Sequence, residues 1–335
     1  MVGLTLLATL SSVHMAAHPL PGNGADERLA FGLPPGNSPL DTSPGECSNN
    51  WSAVNDGAFN IPSNYDSNGD PVDPPPANPY SSEEGFEVLV FKGQLYVGME
   101  ADNKWGARLW RTKAGVATPT GQDDWEEVAA DVSGYPFGLN DTEQNDHIDS
   151  LAEFDGYLYA STANRSGVHK GSLVYRSASG DADSWTLVNT AGFGDVNNEN
   201  FKDMVVFTVD STDWLCGGTA NSTTGAEVWC TMDGTNWSQK NTNGFGSSSN
   251  ALIASSAVFD NHLYFGVYNS GGGRVYRSPD LSSWTMVYES SDRPRVEIMD
   301  VLDGYLYIAE GDKDGRDSDD LTIRIYRSST GELDS

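Results

Sequence analysis

From Phe86 onward the chain alternates apolar and polar residues in short runs separated by turns bearing Gly, Asp or Asn, and no long stretch repeats at helical spacing. Period-two alternation puts every second side chain on one face of a half-buried strand. The runs themselves recur. Leu95-Tyr96, Leu158-Tyr159, Leu215-Cys216, Leu263-Tyr264 and Leu306-Tyr307 each follow an apolar run and a tight turn. After a polar loop comes a second landmark: Trp110-Arg111, Tyr175-Arg176, Trp229-Cys230, Tyr276-Arg277 or Tyr326-Arg327. A third run opens on Trp125, Trp185, Trp237 or Trp284. The landmarks repeat at roughly forty to sixty residues, the length of a four-stranded propeller blade. The pattern predicts an all-β chain, a five-bladed β-propeller of four-stranded antiparallel blades. In the second blade the strands are expected over 148–154, 157–162, 173–177 and 185–190.

The fifth unit reaches Ser335 just where its Trp-led strand should begin, while 50–59 match the outer strand of the second unit, 184–193, with one residue fewer before the Gly. The N-terminal strand is therefore expected to complete the C-terminal blade, a closure that removes exposed strand edges. Residues 47–335 then form one propeller domain with a Pro-rich loop over 60–83. Residues 18–46, rich in Pro, Gly, Ser and Asp, read as an exposed leader. Residues 1–17 read as a signal segment without the usual basic start, too short to span a bilayer.

Two turns between third and fourth strands carry a family resemblance. Thr231-Met232-Asp233-Gly234-Thr235-Asn236-Trp237 resembles the Asp-box, or bacterial neuraminidase repeat, of sialidase-like propellers. Ser278-Pro279-Asp280-Leu281-Ser282-Ser283-Trp284 is a second copy without the Gly. The resemblance implies structural turns on the face opposite any active site. The arginine triad and the Phe-Arg-Ile-Pro motif of sialidases have no counterpart here, so sialidase chemistry is not carried over. In the turn itself the Asp is expected to accept backbone N–H bonds while the Trp packs between strands.

Cys216 stands where the other units have Tyr, and Cys230 where they have Arg. In four units a Tyr of the second strand should face an Arg of the third; in the remaining unit both are replaced together. Opposed residues of antiparallel strands lie within reach of a disulfide, so Cys216 and Cys230 are expected to bond, the alternative being two buried thiols. A bridge places the chain in an oxidising compartment, extracellular or at the cell surface.

Composition narrows the partners. With 48 acidic and 19 basic residues among 335, the formal charge is −29, which repels nucleic acid and anionic membranes. Oligomeric state is not legible. Loops from alternate strand ends collect on one face and offer three candidate groups. Asp312, Asp314, Asp317 and Asp319 around Gly315, and Asp66, Asn68 and Asp70 beside Gly69, space hard oxygen ligands suited to Ca²⁺, the one cofactor considered. Asp149, Asp203 and Glu297 lie near the starts of first strands, where the axis would bring carboxylates together as glycosidase acid and base. Asn103, Trp105, His147, Asn164, Asn221, Asn269 and Arg295 offer amides, an aromatic face and cations to a ligand, with His147 read as a loop residue. The repeated Gly-Phe-Gly of 192–194 and 244–246 is expected to cap blade interfaces. The leading expectation is a non-catalytic propeller binding a carbohydrate or other extracellular ligand with calcium. A glycoside-processing hydrolase is the alternative, and a structural surface protein the third.

Overall fold

The structure, a computed structural model, describes residues 82–101, 107–128, 145, 147–165, 170–311 and 323–332. The segment 1–17, the leader 18–46 and the closing segment 50–59 lie outside the described residues. The chain is all-β, with only short 3-10 turns besides strands. Its strands follow one another as up-and-down antiparallel units. The first unit comprises β1 (Ser82–Phe91), β2 (Gln94–Ala101), β3 (Arg108–Thr112) and β4 (Trp125–Glu127). The second comprises β5 (His147–Phe154), β6 (Tyr157–Ala163), β7 (Val174–Ser177) and β8 (Thr186–Leu187). The third comprises β9 (Asn200–Val209), β10 (Thr212–Ala220), β11 (Val228–Thr231) and β12 (Ser238–Gln239). The fourth comprises β13 (Asn250–Phe259), β14 (His262–Asn269), β15 (Arg274–Ser278) and β16 (Thr285–Glu289). The fifth has three described strands, β17 (Arg295–Leu302), β18 (Tyr305–Gly311) and β19 (Arg324–Ser328). The second unit's fourth strand is shorter than its sequence pattern predicts, because the chain leaves β8 for a loop after only two residues.

The first two strands of each unit join through a two-residue turn. Both turn residues have positive φ, as at Asp155 (49°) and Gly156 (76°), which matches the turn to the right-handed twist of the strands. First strands then pack side by side in chain order, β1 against β5, β5 against β9, β9 against β13 and β13 against β17. Buried apolar residues of neighbouring units fill the spaces between sheets, with Ile148, Leu158, Leu215, Ile253, Phe201 and Phe265 fully enclosed.

The predicted cross-strand pairs stand directly opposite one another: Tyr96 and Arg111, Tyr159 and Arg176, Tyr264 and Arg277, Tyr307 and Arg327. Cys216 and Cys230 occupy the same register in the third unit and are bonded, with Cα atoms 4.1 Å apart. Three of these Tyr also reach the third-to-fourth-strand turn of the next unit. Tyr96 Oη meets Gly180, Tyr159 Oη meets Gly234, and Tyr264 Oη meets Gly331, each so closely that a Cβ on the glycine would overlap the hydroxyl. Arg111 donates to Tyr96 Oη (3.3 Å) and reaches Asp181 across the unit boundary (2.7 Å). Arg277 likewise donates to Tyr264 Oη (3.2 Å) and to Glu332 (2.6 Å). The third unit, lacking the Tyr, faces Leu281 instead of a glycine. Leu281 is buried in one cluster with Cys216 and Cys230. The glycine missing from the second Asp-box-like turn is thus explained by the disulfide opposite it.

These turns share a second device that the sequence reading passed over. The hydroxyl that opens each turn accepts the backbone N–H three residues on: Ser177 from Gly180 (2.6 Å), Thr231 from Gly234 (2.9 Å), Ser278 from Leu281 (2.8 Å) and Ser328 from Gly331 (2.9 Å). The Asp behaves as expected. Asp233 accepts from the N–H groups of Thr235 (2.9 Å) and Asn236 (2.7 Å), and Asp280 from Ser282 (2.9 Å) and Ser283 (2.8 Å). Hydrogen bonds to the charged form, led by those of Asn236, hold Asp233 well below the usual carboxylate range; those led by Ser282 hold Asp280 at about 2.

Candidate active site

Every first strand shows a register irregularity near its start, two each in β1 and β13 and one each in β5, β9 and β17. Pairing jumps from Ile148–Thr162 to Ser150–Ser161, leaving Asp149 without a partner on β6. In the third unit it jumps from Lys202–Gly218 to Val205–Cys216, so that Asp203 and Met204 together oppose Gly217. In the fifth it jumps from Val296–Glu310 to Ile298–Ala309, leaving Glu297. In the fourth unit the irregularities fall at Ala251 and Ala254. A bulge re-aims the side chain of its extra residue. In the second, third and fifth units the bulge holds a carboxyl residue: Asp149, Asp203 (with Met204) and Glu297.

The bulges are tied to one another across unit boundaries. Met204 N–H donates to Ser150 Oγ (3.0 Å), Ser256 Oγ to the Asp203 carbonyl (3.2 Å) and Ser255 Oγ to the Val296 carbonyl (2.9 Å). Ser161 Oγ donates to the Phe201 carbonyl (2.5 Å). At Gly98 of β2 a Cβ would lie 2.7 Å from Ile148, so the missing side chain lets the residue before Asp149 seat against β2.

The three carboxyls have unlike surroundings. Asp149 has no exposed side-chain surface. Asn200 Nδ2 lies 3.1 and 2.9 Å from its two oxygens, His147 Nε2 3.0 Å from Oδ1, and Lys202 Nζ 3.6 Å from Oδ1. A carboxylate only accepts, so His147 Nε2 carries the proton in this contact. Burial alone would raise Asp149. The pull of His147 and Lys202, the His147 hydrogen bond and the charge of Arg165 outweigh it and hold the carboxyl well below the usual range. Asp203 is the opposite case. The residue keeps some exposure at its edge, but its Oδ2 is out of contact with solvent and meets no hydrogen-bond partner among the described residues. Burial pushes its carboxyl up to about 7; Lys202 opposes the shift, and the charges of Asp149 and Glu297 add to it. Asp203 itself has a φ of 51°, a conformation that an aspartate adopts more readily than most residues. Glu297 is half-buried and accepts from Arg295 Nη1 at 2.8 Å.

Of the three carboxyl residues singled out from the sequence, near the starts of β5, β9 and β17, Asp203 lies within electrostatic reach of both Asp149 and Glu297. Arg295 joins them as partner of Glu297. His147 is not the loop residue expected: it is the first residue of β5 and fully buried, because its ring is needed beside Asp149. Asn164, Asn221 and Asn269 are enclosed, and each backbone N–H donates into the next unit, to Glu199 (2.7 Å), Ala251 (2.7 Å) and Pro294 (2.8 Å). The Asn221 amide further bonds Asp195 (3.1 Å) and Asn198 (3.0 Å). Asn103, Trp105, Asp312, Asp314, Asp317, Asp319, Asp66, Asn68 and Asp70 lie outside the described residues. Among the described residues no group of three or more His, Cys, Asp or Glu is placed to hold a metal ion. Asn200 and Arg165 were passed over in the sequence. Asn200 could have been found as the residue aligned with His147 at the head of the next first strand.

Two cavities lie elsewhere, between outer strands of neighbouring units. One, about 540 Å³, is lined by Phe193, Trp229 and Trp237; the other, about 440 Å³, by Phe245, Tyr276 and Trp284. Phe193 stacks on Trp229 (4.9 Å) and Phe245 on Tyr276 (4.1 Å), so each Gly-Phe-Gly caps a unit interface as expected. Polar groups around these clefts already serve the fold. Asn189 accepts from Val174 N–H (2.8 Å), Asn241 from Val228 N–H (2.8 Å), and Trp284 Nε1 donates to the Lys240 carbonyl (2.8 Å). The carboxyl cluster is the stronger candidate because Asp203 Oδ2 meets no hydrogen-bond partner among the described residues.

No protein-family model matches the chain, and no curated protein matches it in sequence. Among solved structures it is similar to an exo-β-1,3-galactanase from Clostridium thermocellum, at 15% identity over 75% of this chain and 58% of that one, with a TM-score of 0.43. It is also similar to an endo-arabinase from Bacteroides thetaiotaomicron, at 14% identity over 74% and 93% of the two chains and a TM-score of 0.39. A family 117 glycoside hydrolase from Zobellia galactanivorans gives 12% identity over 74% and 83%, with a TM-score of 0.41. Similarities this remote carry no inference about activity, so the chemistry has to be read from the chain's own residues. Among the described residues no helix is long and apolar enough to cross a membrane.

Proposed function

We infer that the chain is a glycoside hydrolase with Asp203 as proton donor, Glu297 as the carboxylate facing it and Asp149 as a fixed buried charge. What supports this reading is the set of three bulges, each holding a carboxyl residue near the start of a first strand. Carboxyl groups driven to opposite protonation states are the recurring equipment of glycosidic bond cleavage. A protonated Asp203 delivers its proton to the glycosidic oxygen as the bond from the anomeric carbon to that oxygen breaks. Water adds to the anomeric carbon as that bond breaks and gives its proton to Glu297, so the released sugar carries the water oxygen and the leaving hydroxyl carries the proton from Asp203. Asp149, without access to solvent, acts through Lys202 and Asp203 and touches no substrate. This places the hydrolase ahead of the non-catalytic binding protein expected first from the sequence.

The architecture that serves this reading is a five-bladed propeller with Asp-box-type turns on the far face, residues 47–335 forming one domain. The in-order packing of first strands supports radial closure, with 50–59 adding the fourth strand beside β19. The Cys216–Cys230 bond supports export, for which 1–17 is the address. Calcium at the 312–320 loop is a separate element of the proposal and has no part in the chemical step.

Reducing-sugar release from a panel of plant, algal and bacterial polysaccharides tests the activity. Asp203→Asn and Glu297→Gln are each expected to lower turnover by at least about a hundredfold, the usual contribution of a positioned acid or base. Turnover that survives both substitutions would refute the assignment.

A further inference from the structure

We propose that Arg295 is the positioning residue for Glu297, holding its Oε1 against Gly311 so that Oε2 is the oxygen offered to the incoming water. The proposal rests on the glycoside-hydrolase reading of the same site and adds the residues that set its proton acceptor. Arg295 Nη1 donates to Glu297 Oε1 at 2.8 Å. Oε2 accepts no hydrogen bond among the described residues, and 25% of the side chain stays open to solvent. One oxygen is bound and the other is bare. A base has to come within hydrogen-bond reach of the proton it takes, so fixing the first oxygen decides where the second one points.

The seat is built from both sides of the boundary between the fourth and fifth units. Gly311 is the register partner of Arg295 on β18, and a Cβ there would fall 2.6 Å from Glu297 Cγ and 2.9 Å from Oε1. The φ of Gly311 is not positive, so the backbone does not call for glycine at this position. The missing side chain is explained by Glu297, which lies in the space it would fill. Arg295 is fixed from the fourth unit. The Asn269 N–H donates to the Pro294 carbonyl (2.8 Å) and the Gly273 N–H to that of Arg293 (2.6 Å), so the chain enters β17 along a set line. A Cβ on Gly273 would lie 2.9 Å from the Arg295 backbone, so these two segments touch directly. The guanidinium lies over the Tyr268 ring, 5.7 Å from its centre, a contact that narrows the directions it can take. An arginine held at its backbone and laid on a ring gives the carboxylate a fixed partner. A functional group is only as well placed as the neighbours that lock its rotamer.

The test measures kcat and KM of the full chain on the best substrate of the polysaccharide panel, beside thermal midpoints. Arg295→Ala should lower kcat by about tenfold to a hundredfold with KM changed by less than about threefold, the signature of a misplaced group. Arg295→Lys should recover part of the loss. Gly311→Ala keeps every charge and should lower kcat in the same range, because its Cβ takes the place of Glu297 Cγ. Gly121→Ala, with nothing within 4 Å of its Cβ, is the control and should stay at the wild-type rate. Adding Arg295→Ala to Glu297→Gln should cause little further loss, since a residue acting through Glu297 has nothing left to position. A wild-type kcat in Arg295→Ala, or a further loss of about tenfold when it is added to Glu297→Gln, overturns the proposal and leaves the hydrolase standing. A wild type that cleaves no member of the panel removes the hydrolase instead, and the crystal structure of Arg295→Ala then decides the seat. Glu297 Oε1 still lying against Gly311 overturns it, and a carboxylate swung away from Gly311 upholds it.

Discussion

Gly180→Ala is the sharpest probe of how the units are held together. Gly180 closes the Ser177 turn at a φ of 80°, and a Cβ there would fall 2.1 Å from Tyr96 Oη and 2.8 Å from its Cζ. Tyr96 is fully buried and is held by Arg111, so it cannot swing out of the way without breaking that contact. Three costs add. The left-handed backbone disfavours alanine by about 1 kcal/mol. Forcing the ring aside in a packed interface costs roughly 1–3 kcal/mol. Losing the Arg111 bond costs about 1 kcal/mol more. The sum is about 3–5 kcal/mol. Gly156 supplies the control in the same unit, because it has a φ of 76° but nothing within 4 Å of its would-be Cβ. Gly156→Ala should lose only the backbone share, about 1 kcal/mol. Urea denaturation at unchanged slope reads the difference. Adding Tyr96→Phe removes the atom that overlaps most, so it should restore about 1 kcal/mol or more to Gly180→Ala while costing the wild type about 1 kcal/mol. If Gly180→Ala and Gly156→Ala denature at the same midpoint, or Tyr96→Phe fails to rescue, the lock between units is not what this reasoning says.

Other outcomes follow from the same structure. Leu281→Gly removes a side chain packed with the disulfide but relieves a φ of 61°. The cavity cost exceeds the relief, so a net loss of about 1–3 kcal/mol is expected, and a gain in the denaturation midpoint would contradict the packing. Reducing Cys216–Cys230, which spans 14 residues, should cost about 3 kcal/mol in the same assay. Asp203, raised by burial to about 7 from an unfolded value near 4, binds its proton more tightly in the folded state. Its contribution to stability is therefore whole below about pH 4 and declines until about pH 7. Asp203→Asn should flatten that decline, and it should abolish a falling limb near pH 7 in the pH–rate profile. Chelating calcium should lower the thermal midpoint if the 312–320 loop holds the ion; an unchanged midpoint removes calcium from the proposal.

Much of the scaffold was legible because it is written in residue types at fixed offsets. Opposed Tyr and Arg landmarks give the register, and the joint replacement by Cys gives the disulfide, since both are consequences of antiparallel pairing. The bulges were not legible. One extra residue per strand alters neither composition nor the alternation seen over a short window, yet it reverses which side chain is aimed outward. Asp149, Asp203 and Glu297 could be chosen as candidates by their place near strand starts, but nothing in the sequence says that each lies in a bulge. His147 was misread for a related reason. It follows a long polar stretch, and pairing with Ala163 on one side and Glu100 on the other puts it inside the sheet. The absent glycine at Leu281 looked like a degraded turn until the partner across the unit boundary was in view.

Stability and the proposed chemistry fall at opposite ends of the strands. The Tyr–Arg locks grip the turns after the third strands, while the bulges open the first strands, one strand length away in each antiparallel unit. Since the three carboxyls come from three units, their geometry depends on ties close to them as well as on the locks. Ser150 is the closest such tie: its Oγ holds Met204 N–H, the residue that shares the bulge with Asp203. Ser150→Ala leaves that N–H without its acceptor and frees the bulge, for a stability loss of about 1–3 kcal/mol. Its larger effect should be on the site, as a lower kcat and a displaced pH–rate limb. Gly180→Ala, assayed well below its denaturation midpoint, should leave both kinetic quantities near the wild-type values despite the greater loss of stability. If the two variants instead fall on one line relating activity to stability, the ends are not separable, and the bulge ties act only by keeping the chain folded.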